Sequence, residues 1–340
     1  MAVRDVLVVG AGPSGLSAAI AAKQRRLDYL VLEQGTLVNS IYRFPPQMVF
    51  FTTPELLEVG GVPFTSPYEK PTRAEALRYY RKIVDVFDLQ ITFEETVLSV
   101  TPEDAEAEGA GPTLFSVETR SRRGVRRVRH ARTVLFAIGY YDHPNLIGVP
   151  GEDLPHVHHY YGDPHPHYRQ RVVIVGGGNS AAESALEMYR AGAHVTVVHR
   201  RSELKSTIKY WVRPDIENRI REGSIAARFN TSVSEVRPAS VVVRSNESGD
   251  QEELPADAVY LLTGYRADND LLTRAGIRLD DRQAPVHDRQ TFETNVPGLY
   301  VAGGATAGID TGTIFIENGR FHGEKIVAAI ASRQADLRAT

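Results

Sequence analysis

The 340-residue chain contains no cysteine. That absence excludes a disulfide framework, a thiolate metal site and a C-x-x-C redox pair, so any redox chemistry must come from a bound cofactor. No apolar run approaches the ~18 residues that a membrane-spanning helix needs, and the first residues run into a strand-like segment without a leader pattern. The expectation is a soluble, cytoplasmic protein with no membrane partner. Charge of one sign is lacking too: the net charge is −3, which argues against a general nucleic-acid binder. At 42% hydrophobic and 24% charged residues the composition is ordinary for a globular protein, and the length suggests two or three domains.

What is present begins with Val6-Leu-Val-Val-Gly-Ala-Gly-Pro-Ser-Gly-Leu-Ser-Ala-Ala-Ile20, an apolar strand running into a Gly-rich turn and a small-residue helix. This is the pattern of a dinucleotide-binding unit. Gly10 permits the tight turn, Gly12 lets backbone approach a pyrophosphate, and Gly15 lets helix and strand pack closely. Pro13 and Ser14 open the helix, whose N-terminus offers N–H groups and a positive dipole end to phosphate. The next strand, Tyr29 to Glu33, ends in an acid 18 residues past Gly15, where a carboxylate meets the ribose hydroxyls; Gln34 follows it.

The pattern recurs at Arg171-Val-Val-Ile-Val-Gly-Gly-Gly-Asn-Ser-Ala181. Gly176, Gly178 and Ala181 hold the three key places, with Asn179 and Ser180 at the helix start. Where the first copy has Glu33, this copy has His199, Arg200 and Arg201. A carboxylate there would repel a 2′-phosphate, whereas guanidinium groups grip one, so this site should prefer NADPH. Two such units in one chain have a simple explanation: one holds FAD, the other a nicotinamide dinucleotide, and hydride passes between them. Nicotinamide C4 must then come within ~3–3.5 Å of flavin N5, and that step needs no ionisable side chain. No catalytic residue is therefore named.

Residues 37–53 have aromatics, prolines and no steady period, as expected of either a loop folded over a ligand or an irregular core loop. Asn39, Ser40, Tyr42 and Thr52 could line an isoalloxazine edge, with Phe44 as a wall. Residues 70–87 read as a helix capped by Thr72 with Glu75, burying Leu77, Tyr80, Val84 and Phe87. Residues 90–132 look like alternating strands, with a surface turn at 103–112. The arginines between 120 and 132 fit a solvated hairpin face better than a nucleic-acid patch. Buried strands end in Gly139 and Gly264. The histidines at 156, 158, 159, 165 and 167 match no zinc spacing, and no metal is expected. Gly303, Gly304, Thr313 and Ile314 lead into a final helix reaching about Ile330, its N-terminus suited to the flavin N1/C2=O edge. Breaks near 148 and 271 make the fold class α/β, with two Rossmann-like three-layer domains: an FAD domain from 1–148 and 272–340, split by an NADPH domain at 149–271.

The motifs Gly10-Ala-Gly-Pro-Ser-Gly15, Phe136-Ala-Ile-Gly139, Gly176-Gly-Gly-Asn-Ser-Ala181, His199-Arg-Arg201 and Val301-Ala-Gly-Gly304 resemble those of thioredoxin-reductase-like flavoproteins over nearly the whole chain. The strings Leu37 to Tyr42, Glu58 to Phe64, Lys70 to Tyr80 and Ile314 to Gly323 are most similar to the bacillithiol-disulfide-reductase family. That resemblance implies FAD, NADPH, a homodimer and reduction of a low-molecular-weight thiol disulfide. Two departures stand out. Gly304 replaces the acid that many such proteins carry after Val-Ala-Gly, so either a backbone N–H serves or the contact is absent. Ser14 stands where some members have a cysteine, so the disulfide must be reduced from the flavin directly or through another protein. A ferredoxin or flavodoxin reductase, with a small electron-transfer protein as partner, also needs no cysteine. A flavin monooxygenase and a non-catalytic redox sensor are further alternatives.

Overall fold

The computed structural model describes residues 3–103 and 114–339, so the turn expected at 103–112 lies, from 104 on, outside the described residues. The chain divides into two compact units, residues 1–143 with 265–340 and residues 144–264. The changeovers fall at 143/144 and 264/265, a few residues before the breaks expected from sequence near 148 and 271.

The first unit opens with β1 (Val3–Val9), α1 (Pro13–Gln24) and β2 (Tyr29–Leu32). Val6, Leu7 and Val8 are fully buried, which is why this strand reads as a continuous apolar run rather than an alternating one. Gly10 follows at φ +104°, where a Cβ would sit 2.5 Å from the carbonyl oxygen of Ala137. Only glycine makes this turn. A short helix, α2 (Asn39–Tyr42), then interrupts the stretch that the sequence suggested was all loop.

Next comes α3 (Arg73–Phe87), three residues later than its sequence pattern began. Thr72 Oγ1 accepts from the Glu75 amide at 3.2 Å, and the Glu75 carboxylate accepts from the Thr72 amide at 2.8 Å, closing the expected capping box. Thr72→Ala should lower stability by about 1 kcal/mol, read as a shift in urea midpoint. The buried stripe differs from the expectation: Ala76, Tyr79, Tyr80 and Ile83 are buried, with Leu77, Val84 and Phe87 at its margin. Tyr79 is drawn inward because its hydroxyl finds partners there, taking the amide of Val59 at 2.9 Å and donating to Val62 O at 2.8 Å.

Strands β3 (Ile91–Thr92), β4 (Glu95–Glu103), β5 (Leu114–Ser121) and β6 (Arg126–Phe136) complete the first half. Pleating buries Ala131 between the hairpin arginines but leaves Val125 and Val128 49% and 56% exposed. Ion pairs hold the arginines instead: Arg126 with Glu118, and Arg127 and Arg129 with the buried Glu95. Two-residue strands, β7 (His143–Pro144) and later β16 (Tyr265–Arg266), mark the changeovers.

The second unit repeats the opening design. It comprises β8 (Val157–His158), β9 (Arg171–Val175), α4 (Asn179–Arg190), β10 (His194–Val198), α5 (Arg213–Arg221) and β11 (Ala226–Arg228). A hairpin sheet of β12 (Thr231–Arg237), β13 (Ser240–Ser245) and β14 (Gln251–Pro255) precedes β15 (Ala258–Leu261). The parallel sheet runs β11-β10-β9-β15-β8. Back in the first unit, α6 (Asn269–Arg274) and β17 (Leu299–Val301) come next. The single final helix expected from sequence is in fact two, α7 (Ile316–Gly319) and α8 (His322–Ala339), the second running past Ile330. The first unit's sheet is ordered β3-β2-β1-β6-β5-β4, with β17 also paired to β6. Its parallel centre is β2, β1, β6 and β17, and α1 and α8 pack together beside it.

Candidate functional site

A cavity in the first unit opens above the C-terminal ends of β1, β2 and β6, where ligands bind in open α/β sheets. Its walls come from Gly10, Gly12, Pro13 and Ser14, from Glu33 and Gln34, and from Asn39 and Ser40, with Gly139, Gly303 and Gly304 opposite. All of these carry site expectations from sequence. A Cβ built on Gly12 would meet nothing within 4 Å, so bare backbone faces the cavity at the N-cap of a 12-residue helix. This geometry fits a pyrophosphate.

Glu33 lines the cavity and is also tied to backbone. It is 4% exposed, and its two oxygens accept from the amides of Ala11 and Gly35, each at 2.8 Å. Burial pushes its carboxyl up against those two amides. The carboxylate therefore fastens the Gly turn from below, with its remaining lone pairs left for a ribose.

Six expected residues lie outside the cavity wall. Gly15 packs beneath it, against Gly10. Tyr42 is 55% exposed, 5.4 Å from the Arg73 guanidinium. Phe44 packs edge-on against Tyr141 at 4.9 Å. Thr52 is buried and bonds to Glu317, whose carboxyl burial pushes up. Thr313 donates to Asp310 O at 2.9 Å, and Ile314 lies two residues before α7. The α2 turn delivers Asn39, Ser40 and Ile41 to the cavity, and its last residue, Tyr42, lies off the wall.

The sequence reading missed Asp142, which lines the cavity and gathers Gln34 at 3.0 Å, Asn39 at 3.4 Å and Arg43 at 2.7 Å. Nothing local signals it, because Gln34 is 108 positions away. Gly304 is also explained. A Cβ there would fall 2.7 Å from the Tyr140 ring, so the acid found elsewhere in such turns has no room. The hydroxyl of Ser14 donates to Gly319 O at 2.9 Å. His322 is buried behind the turn and pushed down to about 4, first by burial and then by Lys325 and His287.

In the second unit a Cβ on Gly176 would sit 2.6 Å from Leu262 O and 3.0 Å from the Cβ of the buried Ala181. Gly178 opens toward Lys205, whose Cδ lies 3.8 Å from the position a Cβ would take. Arg200, Arg201 and Lys205 are all exposed, and their charges together press the His199 imidazole below its usual range, after burial itself. His199 differs from expectation. It is 5% exposed, lies beneath Gly177, and its Nε2 has no partner. Lys205, missed in the sequence, completes a cationic trio that fits a 2′-phosphate. Asn179 ties loop to helix, donating to Thr207 O at 3.2 Å and accepting from the Lys209 amide at 2.9 Å. Ser180 is exposed, and Gly264 turns at φ +101° beside Asn145.

Among the histidines, His167 is buried between Gln170 at 2.8 Å and the Tyr260 hydroxyl at 2.7 Å. Among the described residues no group of His, Asp and Glu is arranged to hold a metal, and no helix is long and apolar enough to cross a membrane.

The family model described as pyridine nucleotide-disulphide oxidoreductase matches residues 7–303. Bacilliredoxin reductase Bdr of Bacillus subtilis (strain 168) is 40% identical over 329 residues, covering 96% of this chain and 98% of that protein. The solved structure of bacillithiol disulfide reductase Bdr (YpdA) from Bacillus cereus superposes with a TM-score of 0.92 at 37% identity, covering 98% of this chain and all of that one. A ferredoxin–NADP reductase of Ignicoccus hospitalis is 27% identical over 308 residues, 89% of this chain and 90% of that protein.

Proposed function

The chain belongs to the pyridine nucleotide-disulphide oxidoreductase family as an FAD- and NADPH-dependent oxidoreductase, and from that premise we propose that its acceptor is a low-molecular-weight disulfide of the bacillithiol class. The observation that carries the acceptor is the 40% identity to the Bacillus subtilis reductase along nearly the full length of both chains. The balance is one NADPH and one proton consumed per disulfide, giving NADP⁺ and two thiols. FAD, when bound, supplies the two-electron chemistry that a chain without cysteine cannot supply itself.

The protein's part is to bind and orient. In this reading Gly12 and Ser14 present amides to the FAD pyrophosphate while Pro13, which has no N–H, sets the first turn of α1; Glu33 anchors the Gly turn and meets the ribose, and Gly139, Gly303 and Gly304 close the opposite wall. Gly176, Gly178, Ser180 and Gly264 frame the NADPH backbone, and Arg200, Arg201 and Lys205 grip its 2′-phosphate. Asn39 and Gln34 act through Asp142, closing the β2–α2 connection over the cavity. Ser14 takes no part as a nucleophile, since its hydroxyl is committed to Gly319 O. A cytoplasmic homodimer belongs to the same reading, on the family likeness.

The likeness to a ferredoxin–NADP reductase favours a second reading, in which the acceptor is a small one-electron protein. Anaerobic stopped-flow separates the two. NADPH should bleach the flavin absorbance, and bacillithiol disulfide should restore it on a catalytic timescale. Restoration by ferredoxin or flavodoxin alone would keep the cofactors and overturn the disulfide.

A further inference from the structure

We infer that His322 is the positioning residue for the Gly303–Gly304 turn, holding it in the shape that binds FAD although the imidazole stands behind the turn. This rests on the reading that the first unit's cavity holds FAD. The turn offers that cavity only backbone, so its value as a wall lies in where its peptide groups point.

Those directions are set from behind. The Gly303 amide donates to His322 Nδ1 at 3.1 Å, and the Gly303 carbonyl accepts from Thr306 Oγ1 at 2.8 Å. Just before it, the Ala302 amide donates to Phe136 O at 2.8 Å. In a trans peptide the carbonyl and the following N–H point in opposite directions. Thr306 therefore aims the Gly304 N–H as well, and the peptides on both sides of Gly303 are pinned. On its open side Gly303 abuts Ser14, whose Cβ lies 3.0 Å from where a Gly303 side chain would begin.

The imidazole is itself immobilised. It lies buried on the ring of Phe292, centroids 4.2 Å apart and 30° from coplanar, and Phe292 stacks in turn with His287 at 5.6 Å. Its backbone origin is equally fixed: a Cβ on the next residue, Gly323, would fall 2.6 Å from Ser14 O, so α8 starts hard against α1. Nδ1 accepts from an amide only when unprotonated, so Nε2 carries the ring's proton. A fixed plane, a fixed origin and one tautomer make a preorganised acceptor. Without it the Gly303 N–H is left buried without a partner, and the turn rotates to find one.

The test uses the purified holoenzyme. Parent, His322→Asn, His322→Gln and His322→Leu proteins are diluted into flavin-free buffer, and FAD loss is followed as flavin fluorescence, with circular dichroism and melting as controls for folding. Asn places its amide oxygen where Nδ1 lies, whereas Gln places it near Nε2. His322→Asn should release FAD within about threefold of the parent rate, and the Gln and Leu variants at least about tenfold faster. Release from all variants at the parent rate would overturn the role of His322. So would His322→Asn losing FAD as fast as His322→Gln, and that comparison decides the matter even where His322→Leu fails to fold. A parent that binds no FAD would refute the cavity reading instead.

Discussion

Gly15→Ala should give a chain that melts below the parent and loses FAD. Helix propensity alone predicts the reverse, because alanine in place of glycine within a helix is worth about 1 kcal/mol of stabilisation. Packing decides the sign. A Cβ on Gly15 would be driven into the Gly10 carbonyl oxygen, with the carbonyl carbon at 3.1 Å and the Ala137 Cβ at 3.4 Å. The neighbour is mainly backbone, and the turn it belongs to is held by its own close approach to Ala137. So α1 must lift from β1 or the turn must open. Overpacking of this kind costs roughly 1–3 kcal/mol before any loss of cofactor. Gly12→Ala is the control, since its Cβ meets nothing within 4 Å and enters the space assigned to FAD. It should leave the melting point of the flavin-free chain unchanged while weakening FAD binding by about an order of magnitude or more. A stabilised Gly15→Ala protein, or a Gly12→Ala protein that binds FAD normally, would refute the cradle.

Arg200→Ala with Arg201→Ala should remove the preference for NADPH over NADH. Charge-assisted hydrogen bonds are worth about 1.5–3 kcal/mol each, but both guanidinium groups are exposed, so the lower end applies. Each arginine then accounts for roughly tenfold, and the pair for about a hundredfold in the Michaelis constant for NADPH. That for NADH should change little, because it has no 2′-phosphate to lose. Lys205→Ala should add a smaller step in the same direction, as a point charge lacking the bidentate fork. Raised ionic strength should shrink all three effects. Equal losses with both cofactors would show that the residues support the fold around Gly177 rather than bind phosphate.

The parts of this site legible in the sequence are those whose chemistry is local. Gly10 at φ +104° and Gly15 against Gly10 have the tight turn and the close helix packing that their spacing suggests, because both depend on residues close in sequence. The Thr72–Glu75 capping box is legible for the same reason. Glu33 is found by spacing, but spacing could not show its two oxygens already committed to Ala11 and Gly35. Tyr42, Phe44 and Thr52 have the chemical types a flavin edge or wall needs, but type alone does not fix position, and all three lie off the cavity wall.

By itself the sequence determined two Gly-rich turns between strand and helix, the opposite charges that follow the second strand of each copy, and the absence of any thiol, since these depend on residue type at short spacing. Only the tertiary structure decided that Asp142, Lys205 and His322 matter. Each acts through a partner distant in the chain or delivered by an irregular loop. His322 meets Gly303 where α8 packs against α1, and Asp142 meets Gln34 because β2 and β6 flank β1 in one sheet. Such contacts depend on where the sheet order and helix packing bring the chain, and a pattern of neighbouring residues carries no record of that.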